Sequence, residues 1–265
     1  MLAPFACLLG AWVVWPLLGS AASGLRPTLI GQLATDRIFW GALANTALIT
    51  AALLVIQLPL GLGLALLLDR RDVFGRGFLR LAYFSTHLVG AVFAAVIFAV
   101  LFGGKRAPAN AMLGWINIGP IGFLTDPAWA LPTLLLAAVW IGVGFTAIFL
   151  LAALRNVDAT LLDAAALDGA GATRRLWHVI LPGIRPALLL LVVASSVWGL
   201  QLFELPFLLF NGPGPGYRGL TVVMYLYRVG FEDGQLGYAS TIGWVLLVLC
   251  GSLALVQIRL LREQP

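Results

Sequence analysis

The chain has 265 residues, 61% of them hydrophobic and 10% charged, with a formal net charge of +5 and a mean hydropathy of +1.00. A water-soluble globule of this composition would expose far too much apolar surface, so an integral membrane protein is predicted. No run of Lys and Arg with interleaved aromatics accompanies the basic balance, which argues against a nucleic-acid partner.

A bilayer core about 30 Å thick takes roughly 20 mainly apolar residues per helix. Six such runs occur, at about 3–22, 40–68, 79–102, 131–153, 186–210 and 238–258. They are continuously apolar rather than short and alternating, so they read as helices and not as barrel strands. The fold class is therefore all-α integral membrane, six transmembrane helices in a single domain over 1–265.

The first run ends in the small residues Ala21, Ala22 and Ser23, like a signal peptide. No basic stretch precedes it and five runs follow, so it is predicted to be a retained helix. The second is long, and Pro59, Gly61 and Gly63 give it a reason to bend. Its Asn45 and Thr46 read as hydrogen-bonding groups between helices rather than substrate contacts. Cys7 and Cys250 lie inside spans with no CxxC spacing, so metal or redox work is not predicted.

In the fifth run Glu204 is the clear intramembrane charge, which insertion scales price at about 2.5 kcal/mol or more. Two readings stay open. With Gln201, Trp198 and Asn211 it lines a route for a solute, where amide and carboxylate groups bond hydroxyls and an aromatic face packs on a sugar ring. Alternatively it is an acceptor between helices near Pro206. The following segment 211–216, NGPGPG, reads as a turn, and Trp12, Trp15, Trp40, Trp115, Trp129 and Trp244 suit interfacial belts or packing.

Lys and Arg set the orientation. Arg70, Arg71, Arg76, Arg80, Arg155, Arg174, Arg175, Arg185, Arg259 and Arg262 fall on one side, and Arg26, Arg37, Lys105, Arg106, Arg218 and Arg228 on the other. Both termini and the 154–185 connection are then cytoplasmic. Catalytic equipment is sparse: His87 and His178 are the histidines, and neither HExxH, GxSxG nor GxxxxGK[ST] occurs. Any ATP must be bound by another chain.

The segment 158–186, DATLLDAAALDGAGATRRLWHVILPGIRP, interrupts the apolar pattern. Asp158 is placed to cap a helix that continues through Leu167. Asp168-Gly169 ends it, because glycine takes the positive φ that turns the chain. From Thr173 a second helix runs, with Leu176, Val179 and Ile180 on one face and Arg174, Arg175 and His178 away from it, until Pro182 and Pro186. His178 reads as a headgroup-level polar residue rather than a proton relay. Composition leaves two fates for the pair, an amphipathic loop on the lipid headgroups or a compact knob pressed into a partner.

Spacing separates these fates. Asp163-Ala164-Ala165, three residues, Gly169, nine residues and Val179-Ile180-Leu181-Pro182 resemble the EAA loop of ABC importer permeases, whose pattern is EAA, three residues, G, nine residues, I-x-L-P. DAAALDGA and LPGIRP are similar to the sugar-type branch, which includes maltose and glycerol-phosphate permeases. The resemblance extends over 38–262, through FWGALANTALIT, GRGFLRLAYF, VWIGVGFTAIFLLAALRNV and QLFELPFLLFNGPGPG. Two features depart from the pattern: Asp163 replaces the family's glutamate, and the N-terminus lacks a basic tail.

The resemblance implies a type I ABC importer transmembrane domain in a bacterial or archaeal cytoplasmic membrane. A second sugar-type permease would complete a heterodimer, two ATP-binding subunits would carry ATP and magnesium, and an extracytoplasmic solute-binding protein would deliver a sugar. It further implies that Asp163, Ala164, Ala165, Asp168, Gly169 and Ala170 form a coupling helix in a groove of the ATPase. No cofactor on this chain is expected. An ion-coupled secondary transporter is the alternative, and it would need paired broken helices and intramembrane ionisable groups, of which Glu204 is the candidate. A membrane enzyme would need a nucleophile and base or a metal set.

Overall fold

The computed structural model describes residues 8, 10–70 and 75–262; Cys7, Arg71 and the start of the first apolar run lie outside them, as do the side chains of Arg76 and Arg262. Every regular element among the described residues is helical. A π-helical turn at Gly10–Val14 leads into α1 (Trp15–Gly24), then α2 (Pro27–Thr35) and α3 (Arg37–Asp69). The chain continues as α4 (Arg76–Leu88), α5 (Gly90–Phe102), α6 (Pro108–Gly114), α7 (Pro127–Leu154), α8 (Ala159–Leu167) and α9 (Ala172–Gly183). It ends with α10 (Arg185–Leu200), α11 (Glu204–Phe210), α12 (Val222–Tyr227) and α13 (Leu236–Arg262).

Among the described residues three single helices are long and apolar enough to cross a membrane: α3, α7 and α13 over Leu236–Arg259. Two sharply bent helix pairs raise the total to five. The prediction was six. The run 79–102 is divided, with α4 and α5 meeting at 97° and Gly90 at φ +77° in the left-handed region that glycine enters without a Cβ penalty. The run 186–210 is divided as well, into α10 and α11 across 201–203. Apolar composition sets how much of a segment is buried in lipid but does not register a bend inside it. By contrast α3 runs unbroken through Pro59.

Helix α7 is the centre of the bundle, with 56% of its apolar window buried against 28% for α3 and 17% for α13. It packs on α3 and α4, while α3 also meets α10 and α13 lies along α1 and α10. Three apolar clusters follow one another along α3. One joins Phe39, Ala42, Val222 and Ile242, the middle one Ile49, Leu53, Phe98, Leu134 and Leu205, and the last Ala65, Leu68, Leu150, Leu154 and Ile184.

The two ends are tied differently. At the end of α3 that starts at Arg37, Asp36 caps the helix by accepting from the amides of Ile38 and Phe39 at 2.8 and 3.2 Å. Its other carboxylate oxygen accepts from the hydroxyls of Tyr225 at 2.5 Å and Tyr238 at 2.6 Å. Burial pushes this carboxyl's pKa up, but the hydrogen bonds from Tyr225, Tyr238, Phe39 and Ile38 outweigh it and hold the pKa below the ordinary aspartate value. At the opposite end an Arg80 guanidinium nitrogen donates to the carbonyl of Leu68 at 2.9 Å, closing α3. Arg155 lies 3.7 Å from Asp69 there.

Candidate functional site

The 158–186 loop sits at the Asp69 end of the bundle. Asp158 caps α8 as predicted, accepting from the amide of Thr160 at 2.8 Å, and that bond lowers its pKa. The first helix ends through a paired motif: the amide of Gly169 donates to Ala166 O at 3.1 Å and that of Ala170 to Ala165 O at 2.9 Å. Gly169 takes φ +73°, the conformation for which the sequence singled it out. No group outside its own turn lies within 4 Å of a Cβ built there, so the backbone alone requires glycine.

No residue of α8 is buried. Leu161 is 57% and Leu167 89% exposed, a large apolar outlay on a surface helix. Asp163, Ala164, Asp168 and Gly169 are exposed, and Ala165 and Ala170 half-buried. The base of the loop is fixed instead. Ile184 is 1% exposed, and with Ile180 and Leu181 it packs on Leu68, Leu150 and Leu154 from α3 and α7. A π-helical turn over Leu176–Ile180 interrupts α9. His178 is exposed, its Nδ1 3.0 Å from Arg174 O. The arrangement is a rigid, small-residue knob with an uncovered face, seated on the two longest helices of the bundle.

A second feature opens on one face of the bundle, where Phe145 and Trp198 are each 37% exposed. A cavity of about 220 Å³ is bounded by Gln57 of α3, His87 of α4, Gly142 and Phe145 of α7, and Ser195 and Trp198 of α10, among others. The His87 and Phe145 rings stack with centroids 4.9 Å apart. Gln57 donates from Nε2 to Thr146 Oγ1 at 2.9 Å across the α3–α7 contact.

Of the four residues predicted along a solute route, Trp198 lines this cavity and Gln201, Glu204 and Asn211 do not. Gln201 and Glu204 flank the break between α10 and α11, both exposed on this chain, and Asn211 ends α11 in the left-handed region at φ +51°. The break is supported from behind, where the hydroxyl of Thr221 donates to Leu202 O at 2.7 Å. Asn45 and Thr46 do bond across elements: Asn45 donates to Tyr217 O and Leu220 O at 2.8 and 3.1 Å, and Thr46 accepts from the amide of Val222 at 3.0 Å. Sequence reasoning missed Gln57, His87 and Ser195 as cavity residues. Their one signal is polarity within apolar runs, which Asn45 and Thr46 share.

Residues 57–262 match the family described as the binding-protein-dependent transport system inner membrane component. The chain belongs to this family. Among curated members, a sulfoquinovosyl glycerol transport system permease protein of Agrobacterium fabrum is 32% identical, aligned over 100% of this chain and 90% of its own. An arabinooligosaccharides transport system permease protein of Bacillus subtilis is 28% identical over 97% of this chain and 86% of its own. In structure the permease resembles a chain of a bacterial ABC transporter involved in the import of the acidic polysaccharide alginate, with a TM-score of 0.89 at 24% identity, covering 99% of this chain and 94% of that one. The all-helical, multi-pass fold read from the sequence is thus that of an ABC importer transmembrane chain.

Proposed function

We propose that this chain is the permease subunit of an ABC importer that, with a second sugar-type permease, forms the path of a sugar handed over by an extracytoplasmic binding protein. ATP is hydrolysed on two separate subunits. The single observation that carries this reading is the exposed, glycine-terminated α8 knob on a rigid base, a shape that needs a groove to cover it. In this reading the knob faces the cytoplasm, as do both termini, in agreement with the arginine distribution. It contributes Asp163, Ala164, Ala165, Asp168, Gly169 and Ala170 to the ATPase contact. Closure of the ATPases on ATP moves the knob, and its base transmits the displacement to α3 and α7.

The cavity between Gln57, His87 and Trp198 serves as this chain's part of the solute route. Gln201, Glu204 and Asn211 continue it toward the outer end, on the face that the second permease closes. Relatives named for saccharide or sugar-glycerol transport support a sugar as cargo. The reading is tested by reconstituting the chain with its partner subunits in proteoliposomes: uptake of sugar that requires both ATP and the binding protein is expected. Uptake by this chain alone, driven by a proton or sodium gradient, would replace it with a secondary transporter.

A further inference from the structure

The sequence puts Arg174 and Arg175 on one solvated face of α9, but the structure separates them. Arg174 is exposed, whereas Arg175 is half-buried and borders a cavity of about 440 Å³ at the Asp69 end of the bundle. Leu66, in the last turn of α3, and Leu162 of α8 form its walls with Ala172, Thr173, Leu176 and Ile180 of α9. The π-helical turn Leu176–Ile180 begins directly after Arg175, and both of its end residues line the cavity. Such turns are frequent at functional sites.

Arg175 is the one charged side chain in this lining. Its Nε is enclosed without a hydrogen-bond partner among the described residues, which leaves the two Nη nitrogens as the donors a ligand can reach. The nearby carboxylate of Asp69 is paired with Arg155 instead. A guanidinium presents its donors in a planar fork that matches two oxygens of a phosphate. No carboxylate of the lining would meet the ammonium of a zwitterionic headgroup, so a net anionic one fits better.

The walls point to a lipid rather than a protein side chain. Leu66 lies three residues, about 4.5 Å at the helical rise, from the end of α3, so the cavity reaches from the polar helix ends into the first apolar turn. Trp177, 64% exposed beside it, is the residue type that sits at headgroup level. An acidic side chain would use the guanidinium and leave Leu66, Leu176 and Ile180 bare, whereas a phospholipid covers them with an acyl chain.

We infer that this cavity holds an anionic phospholipid of the cytoplasmic leaflet, its phosphate on the Nη donors of Arg175 and the start of an acyl chain along Leu66, Leu176 and Ile180. The bound lipid fills the gap between the knob and α3 and stiffens the seat through which the knob moves that helix. The side of the membrane and the effect on coupling rest on the importer reading; the site itself rests on the cavity and Arg175.

The test uses the assembled permease–ATPase complex in nanodiscs, with a photoactivatable phosphatidylglycerol analogue and its phosphatidylcholine counterpart as probes, read by peptide mapping. Preferential labelling of the 162–180 segment by the phosphatidylglycerol analogue is expected. Arg175→Gln should lower it about tenfold, the scale of one hydrogen bond to a charged group. Arg174→Gln, which removes the same charge one residue away and outside the cavity, should leave it unchanged. Ala172→Phe, which fills the cavity and keeps the arginine, should lower it too, and it carries the test if Arg175→Gln fails to assemble. Equal labelling by both lipids, equal loss in both arginine variants, or displacement of the lipid by inorganic phosphate would overturn the inference. Absence of labelling would do so as well, and loss of ATPase co-purification in Arg175→Gln would then give the arginine an acidic residue of the ATPase as its partner. Uptake driven by ATP and binding protein is measured in parallel: its absence in the wild-type complex counts against the importer reading, whereas normal uptake without labelling counts against this inference alone.

Discussion

The amide of Ala170 reaches back 2.9 Å to the carbonyl of Ala165 and closes α8 over a left-handed Gly169. Around this bond the apolar residues Leu161 and Leu167 stand exposed, so the turn fixes the shape of a surface that its own chain does not cover.

Gly169→Asp and Ala165→Glu are therefore expected to abolish transport while the protein still inserts and folds. The left-handed conformation costs a non-glycine residue about 1–2 kcal/mol, and an added side chain at Gly169 meets no group of this chain beyond its own turn. Loss of transport in Ala165→Glu, which keeps the glycine turn, then reports on the partner's groove. ATPase co-purification and sugar uptake at wild-type levels in both variants would remove α8 from the coupling contact.

Thr46→Val tests the link between α3 and α12. Thr46 is fully buried and accepts from the amide of Val222, so the substitution leaves that amide without its acceptor. The expected loss is about 1–3 kcal/mol of stability, read as a lower melting temperature in detergent. An unchanged melt would show that the network is not structural.

Asp36 predicts a dependence on acid. Its pKa is held below the unfolded value, so its contribution is fully present above the unfolded aspartate pKa of about 3.9 and is lost as pH falls through the lower folded pKa. Melting followed from pH 7 down to 3 should fall more steeply in the wild type than in Asp36→Asn, which lacks the titrating group. At pH 7 the variant should be less stable by about 1 kcal/mol, a modest figure because the carboxylate is partly solvated. Parallel pH profiles would contradict the Asp36–Tyr225–Tyr238 tie.

Glu204→Gln keeps the shape at the break between α10 and α11 and removes the charge. Placed on the route, Glu204 bonds solute or water on the wall, and uptake should fall about tenfold, the scale of one hydrogen bond to a charged group, with assembly intact. Wild-type uptake would make it an ordinary acceptor between helices.

The loop was legible because its information is local. Asp158, Gly169 and Pro182 act on their own turns, and each does in three dimensions what its residue type allows. The long helices were legible from apolar run length. The breaks at Val89–Gly90 and 201–203 were not, because an apolar run reads the same whether it is straight or bent. Gln57 and Thr146 are 89 positions apart, and their pairing depends on how α3 crosses α7, which no spacing in either helix encodes. For the same reason the sequence marks Trp198 by its ring but not His87, which stacks on Phe145 in the same cavity wall.

The most direct measurement is a cysteine crosslink from the tip of the knob. Leu167, 89% exposed at the end of α8, is replaced by cysteine in the assembled transporter, and a short thiol-to-amine bifunctional reagent is added with and without ATP. A crosslink to the ATP-binding subunit is expected, with a yield that changes when ATP is bound. A crosslink to lipid analogues with none to the ATPase, in either nucleotide state, would contradict it.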